Sequence, residues 1–231
     1  QDFASEFKKD KFDVIDYHPD LHQFEARYNA YDATANPDGV DWASLVDEGV
    51  KDVYLSAVYK TGKTFLMERI VNFFEAYTQG LEPARSARLL IVVFRKTMTT
   101  QMLAYFDGKG YSILPYHAIS GSLDRTRCPF TIWQVDSLAR AFDTDAEQLP
   151  FDGIFLDEVV GLFHHCFQEQ TSGSYDSSAL PGLTSLKWEL STASHLYASD
   201  NDLTQSHVDV FTTTVRSGKS FRVFKNTFKP W

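Results

Sequence analysis

The chain has 231 residues, 43% of them hydrophobic and 15% aromatic, which is enough to bury a sizeable core and excludes global disorder. Its net charge of −9 argues against a protein that simply coats nucleic acid, and the longest apolar run, Leu89 to Phe94, is far too short to span a bilayer. Two cysteines, Cys128 and Cys166, form neither a disulfide framework nor a CxxC zinc pair. Together with a polar, acidic N-terminus lacking a signal-peptide pattern, they set the expectation of a reducing, intracellular compartment and no membrane partner.

The charge is uneven. Residues 1–52 hold thirteen Asp/Glu against five Lys/Arg, so the other 179 residues carry only −1. This acidic stretch has no sustained apolar period, and short helices are expected near Leu21–Tyr31 and Trp42–Gly49. From Asp52 onward, short β-rich runs alternate with amphipathic stretches. The predicted strands are Val53–Val58, Leu89–Phe94, Tyr111–Pro115, Thr131–Val135, Gly153–Leu156, His195–Ser199 and Phe221–Phe224. Most are continuous apolar runs, the pattern of strands covered on both faces.

The first helix is predicted over Thr64–Tyr77, where Leu66, Ile70, Phe73, Phe74 and Tyr77 recur at three- and four-residue spacing. Thr97–Phe106 and Leu183–Ala193 read similarly, and the Ser-, Thr- and Gly-rich segment Gln170–Ser178 reads as an exposed loop. Strands alternating with helices imply an α/β fold with a mostly parallel sheet.

The sharpest local signal runs from Val53 to Thr64, a strand leading through Tyr59-Lys60-Thr61 into Gly62-Lys63-Thr64 and an amphipathic helix. A Walker A loop needs this context. Its backbone N–H groups and the helix N-terminus cradle phosphates, Lys63 adds a point charge and Thr64 reaches Mg²⁺. Gly62 lets the backbone approach the ligand closely. Two features depart from the full motif: Ala57 stands where its first Gly belongs, and Lys60 brings a long charged stem into the loop. Ser217-Gly218-Lys219-Ser220 repeats the tail, but a strand-like run follows it, so it reads as a basic turn.

Gly153 to Leu156 is an apolar strand ending in Asp157-Glu158. In P-loop enzymes the first such carboxylate holds Mg²⁺ and the second orients or deprotonates the attacking water. The competing reading makes Asp157 a helix N-cap. Gln134 and Asp136 close another strand, where an open α/β sheet places ligands, or they cap the next helix. Arg95 and Lys96 are suited to phosphates of single-stranded DNA or to a solvated loop. His164-His165-Cys166 reads as helix packing, because neighbouring helix positions point about 100° apart and do not converge on one metal ion. Ser137 has no nucleophile elbow around it. Trp42, Trp133, Trp188 and Trp231 read as core or interface residues.

With Thr131-Ile132-Trp133-Gln134-Val135-Asp136-Ser137-Leu138 added, the chain resembles the helicase region of herpesvirus-type replication origin-binding proteins, which are superfamily 2 helicases. Further stretches match in order: Phe94-Arg95-Lys96-Thr97, Leu156-Asp157-Glu158-Val159, Ser199-Asp200-Asn201-Asp202-Leu203 and Phe224 through Pro230. Pro19-Asp20-Leu21-His22 through Arg27-Tyr28 is similar to the family's lead-in, so the resemblance covers about residues 17–231. Lys60 stands where the family has Gly, and Asn201 where it has Ala.

The resemblance implies a three-layer P-loop NTPase (RecA-like) fold with ATP and Mg²⁺ as cofactors. It implies that residues 1–50 are an acidic lead-in, 51–215 the first RecA-like lobe, and 216–231 an exit strand toward a second lobe of a longer protein. Asp157, Glu158 and Lys63 become the catalytic set, with Tyr59, Lys60, Thr61, Gly62, Lys63 and Thr64 around the nucleotide. Arg95 and Lys96 face single-stranded or forked DNA, while Gln134, Asp200 and Asp202 couple the two ligands. The setting implied is DNA replication in a nucleus or viral replication compartment. A non-catalytic P-loop module, favoured by Lys60 and Asn201, is the second reading; a different P-loop ATPase or small-molecule kinase is the third.

Overall fold

The computed structural model describes residues 14–16, 51–56, 63–121, 123–141, 149–164 and 179–225. In chain order its elements are β1 (Val14–Asp16), β2 (Asp52–Ser56), α1 (Lys63–Gln79), β3 (Leu89–Val93), α2 (Lys96–Asp107), β4 (Leu114–Pro115), β5 (Phe130–Gln134), β6 (Gly153–Asp157), α3 (Ala179–Thr192), β7 (His195–Asp200), α4 (Gln205–Val210) and β8 (Phe221–Lys225). Short 3₁₀ turns follow β4 at Tyr116–Ala118 and β5 at Val135–Ala141, and a π turn at Phe211–Val215 extends α4. Every residue of β2, β3, β5 and β6 is buried, which is why these segments read as apolar runs rather than as alternating ones.

The chain forms two compact units, residues 1–73 with 197–231, and residues 74–196. In the first, the strand order is β1-β8-β2-β7. β8 runs parallel to both neighbours, with Val223 opposite Val14 on one side and Tyr54 on the other. The acidic N-terminal stretch therefore contributes a strand, and so does the basic C-terminal one. In the second unit the order is β6-β3-β5-β4, and all three pairings are parallel. This is the α/β architecture with parallel strands that the alternating pattern predicts.

A buried ion pair organises the first unit. The Arg216 Nε donates to both oxygens of Asp52 at 3.0 and 2.9 Å, its Nη2 donates to one of them as well, and both side chains are 0% exposed. Arg216 is held in place because its N–H donates to the Phe211 carbonyl at 2.8 Å, closing the π turn. Its own carbonyl accepts from Lys219, and Gly218, at φ +78°, supplies the left-handed residue that swings the chain into β8. Ser217–Ser220 is thus the turn its sequence predicts. Tyr54, two residues along β2, packs its ring near Phe211 and Phe221. Burial, then the Asp52 carboxylate, raises its phenol far above the ordinary value.

The second unit has two ion-pair clusters, one part-buried and one buried. Arg85 donates two hydrogen bonds to Asp152 at 2.7 and 2.6 Å, and the Arg88 N–H adds a third at 2.8 Å. Burial pulls the Asp152 carboxyl upward, but these bonds and the two guanidinium charges outweigh it and hold the group below its ordinary value. Arg125 donates to both Glu189 oxygens and to the Leu149 carbonyl, and it lies 4.5 Å over the Phe151 ring and 5.4 Å over Trp188. Burial prevails over Arg125 at Glu189 and raises its carboxyl from 4.5 to about 7.

The structure departs from the sequence pattern in a few places. Tyr77 is 53% exposed, while Thr78 is buried and bonds back to the Phe74 carbonyl, so α1 turns its polar Thr inward at that level. β4 is only two residues long, and Thr131 completes it by donating its hydroxyl to the Leu114 carbonyl at 2.7 Å. The helical stretch 205–215 has no counterpart among the predicted elements. The expected helices at 21–31 and 42–49 and the loop at 170–178 lie outside the described residues. No helix among the described residues is long and apolar enough to cross a membrane.

Arg216→Met is expected to cost about 3–5 kcal/mol in chemical denaturation, because it strands Asp52 as a buried charge. Adding Asp52→Leu should recover most of that loss. Glu189 binds a proton more readily in the folded chain than in the unfolded one, so its contribution to stability is present below pH 4.5 and is lost as the pH rises through about 7. Stability curves at pH 4.5 and 7.5 should differ by about 3 kcal/mol less in Glu189→Gln than in the parent.

Candidate nucleotide and nucleic-acid site

In the first unit, β2 stops at Ser56 and α1 starts at Lys63, so residues 57–62 join a strand end to a helix N-terminus. Tyr59, Lys60, Thr61 and Gly62 lie outside the described residues. Lys63 and Thr64 are the first two residues of α1, half-buried, in a first turn with no acidic residue. The backbone N–H groups and positive dipole end of a helix N-terminus favour a phosphate. At the end of β7, Asp200 is buried and accepts the Asp202 N–H at 3.0 Å, whereas Asp202 and Asn201 are exposed. Asp200 thus shapes the turn, and Asp202 faces solvent.

In the second unit, Asp157 closes β6 as a buried carboxylate that accepts the Glu158 N–H at 3.1 Å. Glu158 is half-buried at φ +53°, a left-handed conformation uncommon for a residue with a Cβ. Residues 159–164 are helical, and the Leu162 N–H donates to the Glu158 carbonyl at 2.9 Å. Strain of this kind collects at functional sites.

β3 lies between β5 and β6. Past its end, Arg95 takes the N-cap position of α2 with extended backbone, and its guanidinium sits 4.7 Å over the Phe94 ring. Arg95 and Lys96 are exposed, and no acid occupies the first turn of α2. Gln134, the last residue of β5, is buried. Its Nε2 donates to the Phe94 carbonyl at 3.4 Å, and its Oε1 accepts from the Tyr116 hydroxyl at 2.6 Å. The structure therefore brings Gln134 to the Arg95–Lys96 segment. It also adds Tyr116, which sequence reasoning missed; its signal was an aromatic residue directly after a predicted strand.

Asp136 is exposed and Ser137 half-buried in the 3₁₀ turn after β5, against which α3 packs closely: a Cβ on Gly182 would lie 2.5 Å from the Val135 carbonyl oxygen. Trp133 is fully buried, and its indole N–H donates to Thr131; Trp188 is half-buried beside Arg125. Trp42 and Trp231 lie outside the described residues. His164 is exposed, His165 and Cys166 lie outside the described residues, and no group of three or more His, Cys, Asp or Glu among those described is placed to hold a metal. The Thr64 hydroxyl in the first unit and the Asp157 carboxylate in the second are each a hard oxygen donor of the kind Mg²⁺ takes.

No protein-family model matches the chain, and no curated protein matches it in sequence. Solved structures do. A variant of S. cerevisiae Dbp5, bound to Nup159, Gle1, IP6 and ADP, matches at TM-score 0.57 and 11% identity, over 90% of this chain and 52% of that one. The UvsW helicase of bacteriophage T4 matches at TM-score 0.43 and 15% identity over 87% and 67% of the two chains. The Sulfolobus solfataricus SWI2/SNF2 ATPase core with double-stranded DNA matches at 0.45 and 12% over 84% and 34%. The fold assignment rests on the first alone, and at that identity the likeness concerns fold only. The chain has a RecA-like α/β fold and spans about half the length of the Dbp5 chain.

Gly182→Ala is expected to lower stability by about 1–3 kcal/mol, because the clash is with backbone that a rotamer change cannot clear. A thermal melt within experimental error of the parent's would show that α3 does not pack this tightly against the turn.

Proposed function

We propose that the chain is the ATP-binding motor lobe of a superfamily 2 DNA helicase of the replication origin-binding type, coupling ATP hydrolysis to unwinding or remodelling of DNA in replication. The observation that carries this reading is the position of Lys63 and Thr64 as the first residues of a 17-residue helix entered directly from the segment after a buried strand. In this reading Lys63 holds phosphates, Thr64 and Asp157 hold Mg²⁺, and Glu158 orients the attacking water. Bound Mg²⁺-ATP supplies the electrophilic phosphorus and the charge neutralisation; the chain's residues position and exclude. Arg95 and Lys96 serve single-stranded or forked DNA. Asp200 and Asp202 link the nucleotide state to it, and a second RecA-like lobe completes the motor, in a nucleus or viral replication compartment.

A non-catalytic P-loop module is the second reading, and Lys60 is the residue that favours it. The adjacent carboxylates Asp157 and Glu158, the latter in strained backbone, argue for hydrolysis. In the full-length protein with single-stranded DNA present, Lys63→Ala is expected to lower ATP turnover by about 100-fold or more. Undiminished turnover would remove this loop from the site.

A further inference from the structure

We infer that Tyr116 and Gln134 are positioning residues that fix the Phe94–Arg95 segment so that Arg95 and Lys96 meet the phosphates of single-stranded DNA. The inference rests on the reading of Arg95 and Lys96 as DNA-binding residues and names what holds them. Three independent restraints converge on Phe94. Its carbonyl accepts from Gln134 Nε2 at 3.4 Å. Its ring lies beneath the Arg95 guanidinium at 4.7 Å. That ring also sits against Gly161, where an added Cβ would lie 2.7 Å from two of its carbons.

On the other side of Arg95, its carbonyl accepts from Met98 and Thr99 at 3.1 and 3.4 Å, so α2 fixes the peptide that follows. The peptide before Arg95 has no helix to hold it, and Gln134 supplies that restraint. A primary amide accepts a hydrogen bond at one end and donates at the other. Gln134 uses both ends, since its Oε1 takes the Tyr116 hydroxyl at 2.6 Å. Tyr116 orients the amide, and the amide orients the Phe94 carbonyl. Gln134 is 8% exposed and so acts from within, through Arg95 and Lys96, without needing to touch the ligand itself.

The test is fluorescence anisotropy of a labelled oligothymidylate across a series of salt concentrations, with a thermal melt of each protein. The variants are Tyr116→Phe, Gln134→Met, the two combined, and Arg95→Ala with Lys96→Ala. Tyr116→Phe should weaken binding about threefold and Gln134→Met about tenfold, the worth of one and two hydrogen bonds. The combination should be no weaker than Gln134→Met alone, because Tyr116 acts through the amide. The salt dependence is the readout that a merely structural role would not move: in Gln134→Met its slope should fall by about 0.7 for each phosphate left without its cation, as in the Arg95→Ala, Lys96→Ala protein.

Parent-like affinity in Gln134→Met, or weaker binding that tracks the melt with an unchanged slope, would overturn the inference and leave the DNA reading standing. Parent-like binding by Arg95→Ala with Lys96→Ala would overturn the DNA reading and this inference with it.

Discussion

Parallel pairing is the constraint on which the candidate site depends. Because β3, β5 and β6 run in one direction, their carboxyl ends open at one edge of their unit. The register then decides which side chains stand there. Val93 is opposite Gln134, and Asp157 comes one residue past the pairing of Val92 with Leu156. Gln134, Asp157 and the Phe94–Arg95 segment therefore emerge level with one another. Strands buried on both faces are mostly apolar along their length, with Thr131 an exception whose hydroxyl is tied up within the sheet, so the chemistry collects at their ends.

Each unit has an ion pair at the amino end of a strand, buried at β2 and part-buried at β6. Asp52 opens β2 and is closed off by Arg216, a residue 164 positions away. Asp152 precedes β6 and gathers Arg85 and Arg88 from the segment before β3. A fully buried pair such as Asp52–Arg216 adds little net stability compared with apolar packing, but removing one partner leaves a charge with no water to solvate it. Such a pair acts as a register mark, tolerating one arrangement of distant segments and penalising the others. The acidic excess of the first 52 residues is thus partly structural, since one of its carboxylates is wholly committed to the fold.

The sequence made the strands legible because each is a short apolar run. The predicted boundaries for Leu89–Phe94, Gly153–Leu156 and Phe221–Phe224 lie within a residue of the structure. Helices with clear period were legible too. Gln205–Val215 was not, since its run of Val and Thr has the β-branched composition of a strand. It becomes helical because Val208 and Phe211 bury on one side and Thr204 caps the start with His207. β1 was hidden by its length of three residues. Of the candidate site, residue types and strand ends could be read directly, but the bond from Gln134 to Tyr116 joins residues 18 apart and has no local signature. The left-handed backbone of Glu158 was equally invisible, since nothing in Asp-Glu-Val-Val demands it.

The central claim is that this chain binds a nucleoside triphosphate at the start of α1. Titration calorimetry of Mg²⁺-ATP into the chain and into its Lys60→Gly variant tests it most directly. The account predicts one-to-one binding by both. Absence of binding by both proteins would contradict it.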